Sequence, residues 1–518
     1  MLAVNNEIMK STTTKCSYDE ALNLTGFGKY NYRMLCSCNL LILAMYLDIF
    51  GFSVALPAAA CDMALTITQQ GFLSAVPLIG VMLSSYAWGL CADTIGRRRT
   101  LLIAMPIGAV MNLAASVAPT YASLAVFKFL SAGFTSSANA AAFVLLGETT
   151  PARHRSRFLF LMASATMYVQ LVICLVALPV FELSFNVHVP WLSLNYRPWR
   201  LLMLIISLPG ILGVIGMVFL HESPKFLLSS GKEEGAVDGL KKIYSSNTNG
   251  KNDYCVTQIY LEDSTFRIPS DLSFVRKMWN QTAPLFKPPL LKNSLILYYL
   301  LLTAYMTSTG YTMWVPTMTN AYFNGGDTSG KTFCEVASTS TSNVTASTNC
   351  NNAVQPLTLY AVACYSAVSG SLNIILSFVV GSIGKKKLTI LVFTVSVISG
   401  LALIFVTLPL LSVALFYFFN YVSLILGTVN TYLVELNPTY LRGMATCLSV
   451  VVARGFGFIS VQLIASLLED YCTPTISGYV ILVMSGLAVT FLLPADASIK
   501  MDSANHVKKL NETTKTRC

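Results

Sequence analysis

The apolar residues of this chain come in unbroken blocks of about 20, the length an α-helix needs to cross the hydrocarbon core of a bilayer. Lipid offers the backbone no hydrogen-bond partner, so blocks of this kind must satisfy their own amides and carbonyls as helices. Twelve or so spans are predicted, at 34–58, 70–90, 100–119, 122–148, 158–181, 200–220, 293–323, 355–382, 388–408, 411–436, 443–468 and 475–494. A large soluble core of buried helices would need a polar shell that is not there. Of 518 residues, 54% are hydrophobic and only 11% charged, about half the usual charged share. The expected class is therefore an all-α membrane protein.

Residues 1–33 are polar and hold no apolar run, so no cleaved signal peptide is expected and the first span should serve as its own insertion signal. With the N-terminus placed in the cytoplasm, 29 of the 34 Lys and Arg fall on the cytoplasmic side. The net charge of +10 thus reports topology and anionic inner-leaflet lipid, and gives no argument for nucleic acid. The chain divides into a cytoplasmic arm (1–33), six spans (34–220), a cytoplasmic loop (221–291), six further spans (292–494, with an outer loop at 324–354) and a cytoplasmic tail (495–518).

The loops narrow this architecture. Gly89-Leu-Cys-Ala-Asp93-Thr-Ile-Gly96-Arg97-Arg98-Arg99 follows the second span. Gly89 is expected to permit close helix approach, Gly96 to turn the chain, and Asp93 to pair with arginines as a breakable latch. This stretch resembles the G-x-x-x-D-x-x-G-R-R signature of major facilitator transporters, which implies two six-helix halves around a central cavity. The second half repeats it as Gly381-Ser-Ile-Gly384-Lys385-Lys386-Lys387, with Gly381 where that family has Asp, so a weaker second latch is expected. His221-Glu222-Ser223-Pro224-Lys225-Phe226-Leu227, Val434-Glu435-Leu436-Asn437-Pro438 with Arg442, Gly310-Tyr-Thr-Met-Trp314-Val-Pro316 and Cys61-Asp62-Met63 resemble segments of the synaptic vesicle glycoprotein 2 branch, near the organic-ion and sugar transporters. The outer loop at 324–354 is much shorter than in those glycoproteins. Glu148, Arg153, Glu435 and Arg442, like Asp93, lie at expected cytoplasmic helix ends and are read as gating or structural latch residues that need not touch substrate.

Charges inside spans are costly and mark function by default. Asp48 lies in span one, Lys128 in span four and Arg454 in span eleven. Asp48 and Lys128 match the acid–base pair of proton-coupled sugar porters, with Lys where Arg is usual. Arg454 resembles the helix-eleven arginine of organic-ion transporters, a counter-ion for an anionic substrate. A structural salt bridge and a helix anchor are the competing readings. Tyr311, Trp314, Gln170, Asn373, Asn420 and Asn430 are weaker candidates, because intramembrane amides also serve as interhelical glue and Trp314 suits an aromatic belt.

Among 13 cysteines, Cys334 and Cys350 share the outer loop and are expected to pair, with Cys61 or Cys472 as competitors. Asn343-Val-Thr345 is the one sequon expected on the outer face. There is no P-loop, no metal-site spacing and no Gly-x-Ser-x-Gly, so no enzyme, cofactor or metal is expected. The expected function is secondary transport of a small organic solute (an organic ion or a sugar-like compound) by alternating access, with Asp48 available for proton coupling. The alternative is a non-transporting glycoprotein, a sensor or binding partner on a transporter scaffold. A monomer in the plasma membrane or a vesicle membrane, with both termini cytoplasmic, is expected.

Overall fold

A computed structural model of the chain describes residues 14–192, 194–248, 254–260, 282–324, 330–336, 354–437, 439–467 and 471–494. Eleven helical runs are long and apolar enough to cross a bilayer: Lys29–Asp62, Ile67–Thr94, Arg97–Ser116, Tyr121–Thr149, Ala152–Phe181, Pro198–Val218, Pro356–Val380, Lys385–Phe405, Leu410–Leu433, Leu448–Leu467 and Cys472–Thr490. The twelfth helix, Leu291–Asn324, occupies the seventh place and is the longest single helix described. Its Tyr, Thr and Ser residues keep it from reading as apolar, and their burial explains the anomaly: Thr303, Thr307, Tyr311 and Thr319 are buried in the bundle, away from lipid. The protein is an integral membrane protein built as a bundle of these helices. Hydrogen bonds cross between its helices, as Tyr298 Oη to the Ala445 carbonyl (3.1 Å) and Ser460 Oγ to the Met306 carbonyl (2.5 Å) show.

The turn between spans two and three forms as expected. Gly96 has φ +115°, and an added Cβ would lie 2.5 Å from Glu222 Oε2. Gly384 repeats it between spans eight and nine with φ +90°. Gly89 does not behave as expected: an added Cβ there would meet nothing within 4 Å. The close approach of span two lies 18 residues earlier, at Gly71, where an added Cβ would come within 2.3 Å of the Ala465 Cβ on span eleven. Spans two and eleven therefore press together at Gly71, while the Gly89 position faces open space.

The polar arm and central loop form a small folded unit. Thr14–Ser17 pairs in parallel with Val256–Tyr260. Tyr18, Ala21 and Leu22 pack against Ala236, Val237 and Leu240 of the helix Glu233–Thr248. At the other end of the bundle, Val187–Val189 and Leu194–Tyr196 form an antiparallel hairpin.

The disulfide expectation is corrected. Cys334 bonds Cys472 at the start of the last span, with Cα atoms 5.5 Å apart. Phe333 stacks on Tyr322 and Phe416, which seats the neighbouring Cys334 against that helix. Cys61 is also disulfide-bonded. Cys350 and Asn343 lie outside the described residues.

Candidate functional site

A cavity of about 530 Å³ opens between the two sets of spans. One wall comes from Tyr46 and Phe50 of span one, Asn139 and Phe143 of span four and Gln170 of span five. The other comes from Tyr305, Thr309 and Thr312 of span seven, Tyr365 and Asn373 of span eight, Asn430 of span ten and Arg454 of span eleven. It runs to Lys385, at the end of the bundle that carries the Gly96 and Gly384 turns.

Arg454 is the charge deepest in this space. It is 7% exposed, and among the described residues its Nε has no hydrogen-bond partner and no carboxylate lines the cavity. Its guanidinium carbon sits 5.9 Å from the Tyr46 ring centroid and 5.8 Å from that of Phe50. Two aromatic faces offset part of the cost of a buried cation. The rest of the lining mixes apolar side chains such as Phe143, Met167, Leu376 and Leu388 with hydroxyl and amide groups able to donate to or accept from a solute. Gln170 Nε2 donates to the Thr312 carbonyl (3.1 Å), and Asn420 Nδ2 donates to Tyr365 Oη (2.6 Å). Thus Gln170, Asn373, Asn430 and Arg454 line the cavity, while Asn420 braces it from behind.

Tyr311 and Trp314 do not line it. Tyr311 is fully buried among Phe416, Phe419 and Tyr479. Trp314 is not in an aromatic belt: it is 1% exposed, and its indole N–H donates to the Val461 carbonyl (3.3 Å). Both are packing residues in this conformation.

Asp48 and Lys128 meet, away from the cavity. Lys128 Nζ pairs with Asp48 Oδ1 and donates to the Asp48 carbonyl (2.8 Å). Asp48 Oδ2 accepts from Ser131 Oγ (2.6 Å) and Thr135 Oγ1 (3.2 Å), and Phe52 lies 5.3 Å beneath the ammonium. Exposures of 3% and 0% show a sealed, fully hydrogen-bonded pair. Asp48 lies in a π-helical turn, Leu47–Gly51, so Tyr46 and Phe50 reach the cavity while Asp48 turns into the protein.

The latch residues assemble around Glu148. Arg97 pairs with Asp93 (3.1 Å) and Glu148 (3.4 Å) and lies over the Phe226 ring (4.9 Å). Ser223 Oγ donates to Glu148 Oε2 (2.5 Å). Arg98 uses its side chain on the Met217 and Val218 carbonyls. The backbone N–H groups of Arg98 and Arg99 donate to Glu222 at 2.9 and 3.2 Å, so the His221–Leu227 segment caps the third span. Arg153 is exposed, and the neighbouring Arg155 makes the ion pair instead, with Asp19 (2.8 Å). In the second half Lys385 pairs with Glu435 (2.5 Å). The Arg442 side chain lies outside those described.

Sequence reasoning missed Tyr46, Phe50, Asn139 and Thr312. The i, i+4 spacing of Tyr46 and Phe50 was the available signal for a shared face.

The Major Facilitator Superfamily model matches residues 38–461. Synaptic vesicle glycoprotein 2A of Rattus norvegicus is 24% identical over 323 residues, covering 58% of this chain and 43% of that protein. Synaptic vesicle glycoprotein 2B of Mus musculus is 23% identical over 323 residues, with 58% and 47% covered. The chain thus matches less than half the length of these relatives. Among solved structures, the inward-open xylose transporter XylE from E. coli superposes with a TM-score of 0.62 at 14% identity, covering 90% of this chain and 97% of that one. A crystal structure of D-xylose-proton symporter gives 0.61 at 15% identity, with 89% and 97% covered. The twelve-helix architecture, the cavity between its halves and a family match across most of the length agree: the chain belongs to the Major Facilitator Superfamily.

Proposed function

We propose that this protein is a secondary active transporter of a small organic anion, working by alternating access. The observation that carries the reading is Arg454: a buried cation with no carboxylate partner, facing a solute-sized cavity between the two halves. A cation held this way is stabilised by an anion that enters. The rings of Tyr46, Phe50 and Tyr305 suit an aromatic or otherwise planar part of the solute, and the hydroxyl and amide wall suits its polar remainder.

Coupling is assigned to Asp48 and Lys128. A proton taken up by the Asp48 carboxylate removes its negative charge and loosens the ion pair, freeing span one to move against span four. The proton returns to water when the pair re-forms on the other side of the cycle. The Arg97–Glu148 and Lys385–Glu435 pairs would hold the cytoplasmic ends of each half. Six spans to either side of the 221–291 loop, both termini cytoplasmic, and residence in the plasma or a vesicle membrane belong to the same proposal.

Flux into proteoliposomes tests this, with organic anions, organic cations and sugars offered with and without an imposed pH gradient. Arg454→Gln should abolish anion uptake, and Asp48→Asn should remove its dependence on the gradient. Transport confined to cations or sugars would overturn the anion assignment. Specific binding of a solute without flux by folded protein would instead support a non-transporting glycoprotein.

A further inference from the structure

The starts of spans one and five lie side by side at the end of the bundle that carries the Arg97 and Lys385 turns, and their side chains there are only partly accounted for by the protein. Phe27 stacks on His154 (centroids 4.1 Å apart) and meets Phe158 edge-on (5.3 Å). Tyr32 packs against both Phe27 (5.3 Å) and Phe158 (5.8 Å) and remains 58% exposed. The arginines next to these ring residues in the chain, Arg33 after Tyr32, Arg153 before His154 and Arg157 before Phe158, are exposed. The acids nearby are committed elsewhere. Asp19 pairs with Arg155, Glu20 accepts from the Ser17 amide, Glu148 holds Arg97, and Glu222 accepts from the Arg98 and Arg99 amides. No carboxylate among the described residues pairs with Arg33, Arg153 or Arg157.

The depth of the patch identifies what faces it. Tyr32 and Arg33 stand in the first turns of the span that starts at Lys29, and Arg153 and Arg157 in the first turns of the span that starts at Ala152. These positions fall at the boundary between hydrocarbon and water, where aromatic rings sit among lipid headgroups. Guanidinium groups there meet phosphate, to which they can donate two parallel hydrogen bonds. We propose that Arg33, Arg153 and Arg157, with Tyr32 at their edge, form a binding site for the headgroup of an anionic phospholipid. The site selects anionic over zwitterionic lipid because it holds three positive charges with no counter-ion among the described residues. It stands apart from the transport cavity and does not depend on the identity of the solute.

The test uses the full chain in detergent micelles and reads bound lipid by native mass spectrometry. Phosphatidylserine is titrated in parallel with phosphatidylcholine of the same acyl chains. Each basic side chain near an anionic surface contributes roughly a fivefold factor. The variant Arg33→Gln/Arg153→Gln/Arg157→Gln should therefore lose on the order of tenfold or more of the phosphatidylserine preference. Lys225→Gln/Lys232→Gln/Lys241→Gln removes the same charge from the neighbouring helices and should leave the preference nearly intact. Tyr32→Ala should weaken both lipids alike. Equal binding of the two lipids by the wild type would overturn the proposal, as would equal loss in the two triple variants. Displacement by soluble glycerophosphoserine would also overturn it, because a free headgroup would then suffice. A thermal unfolding scan on each variant separates loss of lipid from loss of fold.

Discussion

Asp48 and Lys128 form a buried ion pair on the face of span one that turns away from the cavity, while Tyr46 and Phe50, two residues to either side of Asp48, line the cavity beneath Arg454. The π-helical turn Leu47–Gly51 thus joins the solute space to the one sealed acid of the span within five residues.

The pair should be non-additive. Lys128→Met alone leaves a buried carboxylate held only by Ser131 and Thr135 and should cost about 3–5 kcal/mol. Asp48→Asn/Lys128→Met should recover much of that loss. Thermal unfolding of the single and double variants in the same detergent measures the coupling. A double variant as unstable as the sum of the two singles would exclude a direct pairing.

At Arg454, charge and shape can be separated. Arg454→Gln should weaken binding of an anionic solute about tenfold or more, whereas Arg454→Lys should keep part of it, since an ammonium retains the charge without the planar fork. Isothermal titration with the solute identified by flux distinguishes the two. Equal losses would mean that the guanidinium plane, and not the charge, matters.

Gly71 and Gly89 make opposite predictions on one helix. Gly71→Leu should wedge spans two and eleven apart, because even a Cβ is crowded by Ala465. Thiol labelling of Asn373→Cys, a cavity-lining position, from the Lys385 side should then fall severalfold as the population shifts. Gly89→Ala should leave labelling unchanged, since open space surrounds it in this conformation.

Peptide mapping without reductant should recover Cys334 joined to Cys472. Cys472→Ser should cost about 2–4 kcal/mol of stability, and adding Cys334→Ser should cost little more. A map that joins Cys334 to Cys350 would overturn this pairing.

The two latches should differ in strength. Glu435 is about one-third exposed, so Glu435→Gln should change stability by less than about 1 kcal/mol. Glu148 is 15% exposed and serves both Arg97 and Ser223, so Glu148→Gln should cost more. Unfolding midpoints of the two variants give the comparison.

The helices and their order were legible in the residues because the bilayer imposes a length and a polarity on each span, whatever its neighbours do. The Gly96 turn was legible for a similar reason: its conformation is local. The meeting of Asp48 with Lys128 was implied by the resemblance to proton-coupled sugar porters, and the cost of an unpaired charge in a span agrees with it.

Which polar residues face the cavity was not legible. Gln170, Asn420, Tyr311 and Trp314 look alike as isolated intramembrane residues, yet one lines the cavity and three are packed behind it or far from it. The partner of Cys334, Cys472 and not Cys350, was likewise settled only by the tertiary structure. The sequence by itself determined that the chain is a bundle of apolar, membrane-crossing helices, which follows from hydropathy along one dimension. Only the tertiary structure decided that Asp48 is sealed from the cavity while Arg454 opens onto it, because the rotation of each helix is set by packing against partners distant in the chain.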